Sequence, residues 1–133
     1  MNNNTNNQDV RAFHDKFGIE NPKEPCQLTT DVSEFRVKFM QEELDEYVEA
    51  TSLGDVEGQI DALVDLVYVA LGTAALQGFD WQAHWDEVQR ANMSKVRSTG
   101  ADDPRTKRKH ALDVVKPSGW KGPDHVKVFD EKY

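Results

Sequence analysis

A chain of 133 residues, 38% hydrophobic and 30% charged, has the size and composition of one folded domain. Its net charge of −8 disfavours non-specific binding to nucleic acid or to an anionic membrane. Its one cysteine, Cys26, excludes an intrachain disulfide and a cysteine-rich zinc site. No apolar run reaches membrane-spanning length and the N-terminus lacks an apolar signal core, so the expected location is the cytoplasm.

Residues 1–8 form an Asn-rich stretch with the composition of a disordered tail, and residues 9–133 read as a single helical domain. A short helix is expected over 9–18, with Asp9 as its cap and Gly18 as its stop. Pro22 and Pro25 make the next stretch a loop. Asp31 and Glu34 have capping-box spacing and open a helix running to about residue 52. Gly54 and Asp55 mark a turn and a new cap, followed by a helix over 56–77 that stops at Gly78. Asp80 caps a fourth helix over 81–96. From about residue 97 the chain is rich in Pro, Gly and Lys and reads as irregular. The pattern predicts an all-α, four-helix-type bundle. Phe35, Phe39, Trp81 and Trp85 exceed what one small core needs, which points to completion by oligomerisation.

The carboxylates carry the chemistry. At about 100° per residue, Glu43 falls inside the apolar face of the second helix, Glu46 at its edge and Glu42 one step further out. Glu43 and Glu46 stand three residues apart, so both can reach one ion. From Ile60 to Leu76 the only charged residues are Asp61 and Asp65, which share a line with Tyr68 and Gly72. Two carboxylates on one row of an apolar helix repel each other unless a cation joins them. Oxygen-only ligands select Mg²⁺ or Mn²⁺ over zinc. Such ions can neutralise charge on a phosphoryl group, with a remaining glutamate orienting or deprotonating a water. The plainer alternative is that these carboxylates are solvated or ion-paired surface groups.

On the fourth helix, Trp81, Trp85, Val88, Asn92 and Lys95 share one face. A polar amide and an ammonium continuing an apolar row need partners. Phosphate oxygens or a nucleotide sugar would serve, and so would a Lys95 salt bridge.

The order and spacing of EELDE (42–46), DALVDLVYVALGTAALQG (61–78) and RANMSK (90–95) resemble the all-alpha nucleoside triphosphate pyrophosphohydrolases, the MazG-like and phosphoribosyl-ATP-pyrophosphohydrolase-like group. FHDKFG (13–18) and KPSGWKGPD (116–124) are weaker matches. The resemblance implies that an ExxE motif at Glu43 and Glu46, with Glu42 beside it, and an ExxD motif ending at Asp65 bind Mg²⁺. The first Glu of the latter motif falls at Ala62, which cannot ligate; Asp61 is the substitute at hand. Asn92 and Lys95 are the implied substrate contacts, and Trp120 either stacks on a base or closes the bundle.

The implied reaction is hydrolysis of a nucleoside triphosphate between its α and β phosphates, giving a monophosphate and pyrophosphate. The implied assembly is a homodimer or homotetramer, with no nucleic-acid or membrane partner. The competing reading is a non-catalytic nucleotide- or protein-binding member of the same fold, favoured by Ala62.

Overall fold

The computed structural model describes residues 4–133 and shows an all-α fold. In chain order the elements are α1 (Asn6–Lys16), α2 (Thr30–Ser52), α3 (Val56–Leu76), α4 (Trp81–Met93), β1 (Val96–Arg97), β2 (Val114–Val115) and α5 (His125–Lys132). The chain divides into two compact units, the first ending at Trp81 and the second running Gln82–Tyr133.

In the first unit α3 packs along both α1 and α2. Helix α1 begins earlier than the composition suggests. Thr5 caps it by accepting from the Gln8 N–H, and the Gln8 side chain accepts from the Thr5 N–H in return. This reciprocal cap corrects two expectations: Asp9 lies inside the helix, and residues 5–8 are ordered rather than tail. Residues 1–3 of the expected tail lie outside the described residues. Helix α2 is likewise capped two residues before the expected box, by Thr29. Asp55 caps α3 as expected, accepting from the Gly58 N–H at 3.0 Å.

The buried apolar residues of this unit are Val10, Ala50, Ala62, Val69, Leu71, Ala74 and Ala75. Small side chains on α3 let its neighbours approach closely, but they leave a small core. Phe35, Ile60 and Val64 remain 58%, 59% and 57% exposed. By length and composition α3 is apolar enough to cross a membrane. This corrects the sequence reading that no segment is; the two aspartates interrupt the run without lowering its mean hydropathy far enough. Core helices of water-soluble bundles share that composition.

The second unit departs further from expectation. Helix α4 ends at Met93, because the Ser94 and Lys95 N–H groups bond back three residues to Ala91 and Asn92. The segment expected to be irregular holds a two-stranded antiparallel ladder, Val96 opposite Val115, and an eight-residue helix, α5. The loop between the strands hangs on two aspartates. Asp103 is fully buried and accepts from the Thr99 N–H and from the Arg105 backbone and side chain. Asp113 receives Thr106 Oγ1 and Arg108.

Candidate metal centre

The antiparallel pairing of α2 and α3 brings together three carboxylates that are distant in sequence. Glu43, Glu46 and Asp65 each offer an oxygen within 4.8 Å of the others. Glu43 is 9% exposed, Asp65 is half-buried and Glu46 faces solvent. Burial first, then the neighbouring Glu46, then Asp65 and Asp61, push the Glu43 carboxyl above its ordinary range.

Glu43 Oε2 is buried and has no hydrogen-bond partner. A buried acceptor left unpaired costs about 1–3 kcal/mol, and more when charged. Its environment therefore suits a cation: an orphaned oxygen, two further carboxylates and, among the described residues, no Lys or Arg paired with any of them. A hard oxygen donor set of this kind fits Mg²⁺ or Mn²⁺.

The other expected site residues take different places. Asp61 is exposed and lies outside the trio, though its charge reaches Glu43. Ala62, at the position where the motif calls for Glu, is 2% exposed and part of the core. Glu42 lines a shallow groove with Lys38 and Phe39, turned away from the trio by its one-residue offset. Tyr68 packs edge-on against Phe13 of α1, with ring centroids 5.6 Å apart.

Sequence reasoning missed Arg36, which shares the α2 seam with Glu43 at a spacing of seven residues. Its guanidinium donates to Thr73 Oγ1 at 3.0 Å and to the Val69 carbonyl at 2.8 Å. The missing signal was Gly72, whose bare backbone faces this group.

In the second unit Asn92 is exposed and Lys95 is half-buried. The Lys95 ammonium stands 5.4 Å from the Trp120 ring centroid, and no carboxylate pairs with it among the described residues. Trp120 donates its indole N–H to the Ala91 carbonyl at 2.8 Å, which pins its segment to the end of α4. The same segment is held by Arg90 donating to the Gly122 carbonyl and by Glu87 accepting from the Asp124 N–H.

A family model described as phosphoribosyl-ATP pyrophosphohydrolase matches residues 10–92, spanning all three carboxylates and ending at Asn92. No curated protein matches the chain.

Proposed function

The chain belongs to the phosphoribosyl-ATP pyrophosphohydrolase family, within the all-α MazG-like group, and on that premise we propose that it cleaves nucleoside triphosphates between the α and β phosphates. Family membership makes it a pyrophosphohydrolase-type hydrolase acting on a phosphoribosylated or nucleotide substrate. The observation that carries the finer reading is the carboxylate trio with its orphaned Glu43 oxygen.

Glu43, Glu46 and Asp65 would hold Mg²⁺, or Mn²⁺ in its place. When bound, the ion supplies positive charge to the phosphate chain under attack. Water is added across the phosphoanhydride bond: its oxygen bonds to phosphorus, the bridging oxygen leaves with one fragment, and a proton is released. Glu46 is the solvent-facing member of the trio, which suits it to orient the water and take that proton. Glu43 is held in the seam, where a bound cation would favour its charged form. Glu42, next to the trio in sequence, is proposed as a further catalytic glutamate that could share in orienting that water. Tyr68 is proposed to border the substrate at the trio, and Asn92 and Lys95 are proposed as nucleotide contacts of the second unit.

The exposed faces of Phe35, Ile60 and Val64 support a homodimer or homotetramer, because a second copy would bury them. The proposal places the enzyme in the cytoplasm, where free nucleoside triphosphates are found.

Ala62 supports one rival reading, a non-catalytic nucleotide-binding member of the family. Pyrophosphate release from a panel of nucleoside triphosphates, with and without Mg²⁺, separates the two. The enzyme reading expects Mg²⁺-dependent release that D65N abolishes. Nucleotide binding with no release from any of them would establish the rival.

A further inference from the structure

The segment from Lys95 to Lys121 carries eight Lys and Arg against three Asp, in a chain of net charge −8. Two of these cations are already engaged, Arg105 by Asp103 and Arg108 by Asp113. Two others converge on one aromatic ring. The Lys95 ammonium lies 5.4 Å from the Trp120 centroid and the Lys116 ammonium 5.0 Å from it. Neither pairs with a carboxylate among the described residues.

Each ammonium gains only about 0.5–1 kcal/mol from an exposed ring face. An anion within reach of both would add charge-assisted hydrogen bonds that the ring cannot supply. The ring itself is fixed in place by its bond to the Ala91 carbonyl. Its far edge faces Gly122, where even a Cβ would come within 3.4 Å of the indole.

We propose that Trp120, Lys95 and Lys116 form a binding platform for a nucleoside phosphate, with the base stacked on the indole and the phosphate between the two ammonium groups. The choice of ligand rests on the nucleotide reading above. Lys116, however, lies well beyond the matched residues 10–92 and takes its role from this geometry alone. A flat π-face stacks on any base, so the platform selects for an aromatic ring carrying phosphate rather than for one base.

Calorimetric titration of the full chain in EDTA tests the platform apart from the metal centre. The probes are the four ribonucleoside monophosphates, their nucleosides, inorganic phosphate and a short single-stranded DNA. At least one monophosphate should bind more tightly than its nucleoside. K116A should erase that advantage, weakening the monophosphate about tenfold, the order of one hydrogen bond to a charged group. K116R should recover part of it. W120L should weaken nucleoside and monophosphate alike, while W120F, which keeps an aromatic face, should retain most binding. Failure of every monophosphate to bind the wild-type chain would overturn the proposal. So would wild-type affinity in both K116A and W120L, and so would DNA binding far stronger than any monophosphate. Wild-type binding without pyrophosphate release in Mg²⁺ would sink the hydrolase reading and leave the platform standing. Mg²⁺-dependent release by a chain that binds no monophosphate in EDTA would do the reverse.

Discussion

A side chain at Gly72 would meet the guanidinium of Arg36: a Cβ there would stand 2.7 Å from Arg36 Nη2 and 3.3 Å from His14 Nε2. Arg36 cannot swing away freely, because it is bonded to Thr73 Oγ1 and to the Val69 carbonyl. Burial also lowers its pKa from the ordinary arginine value. G72A is therefore expected to destabilise the chain by roughly 1–3 kcal/mol, the usual range for overpacking. In an R36A background the same change should cost less, since the obstructing group is gone. Denaturant unfolding of the two single variants and the double variant measures the difference; strict additivity would show that the two residues do not compete for space.

The buried Glu43 oxygen predicts opposite responses with and without metal. In EDTA, E43Q should raise Tm, because it removes charge from a carboxyl crowded by Glu46 and Asp65. Added Mg²⁺ should stabilise the wild type by about 2.7 kcal/mol at a hundredfold excess over Kd and should stabilise E43Q much less. A wild-type Tm indifferent to Mg²⁺ would remove the trio as a metal centre.

The two aspartates of α3 should not be equivalent. Asp65 belongs to the trio, whereas Asp61 only adds its field. D65N should cut pyrophosphate release at least about tenfold, the smaller loss expected even for a group that merely supports a metal ligand. D61N should cost less in both activity and calorimetric Mg²⁺ affinity. Equal losses would place Asp61 among the ligands.

Helices α2 and α3 expose Phe35, Ile60 and Val64, and apolar faces of this kind mark interaction surfaces. Sedimentation equilibrium at tens of micromolar should return at least twice the 15.1 kDa chain mass. I60K together with V64K should shift the equilibrium toward monomer without loss of helix. A wild-type monomer across that range would reject the assembly.

Acid should loosen the second unit. The Arg90 hydrogen bond, then the Asp124 N–H, hold the Glu87 carboxyl at about 2, below its ordinary 4.5. Asp103 is likewise depressed, first by the Arg105 side chain and then by the Thr99 and Arg105 N–H groups. A depressed folded-state pKa contributes stability that is present above the unfolded value and drains as pH falls toward the folded one. Near-UV circular dichroism should therefore fade as pH drops from about 4.5 toward 2. E87Q should flatten part of that slope; an unchanged slope would mean Glu87 does not anchor the segment.

The sequence by itself determined α2 and α3 and which carboxylates interrupt their apolar faces. Apolar periodicity and the turn at Gly54 and Asp55 place α2 and α3 almost to the residue, because caps and periodicity are local properties of the chain. Glu43 and Asp65 are legible for the same reason: a carboxylate inside an apolar stripe violates a pattern visible in one dimension. The tertiary structure decided what depends on two elements meeting. It sets Glu43, Glu46 and Asp65 within reach of one ion and leaves Asp61 outside. It fills the gap at Gly72 with Arg36, and it folds residues 96–115 on Asp103 and Asp113 where composition suggests only loop. Two-residue strands carry too little alternation to read, and a buried Asp that satisfies backbone N–H groups has the same letter as one in solvent. Convergence of Lys95 and Lys116 on Trp120 is likewise a fact of chain path, invisible until the KPSGWKGPD segment is seen lying against the end of α4.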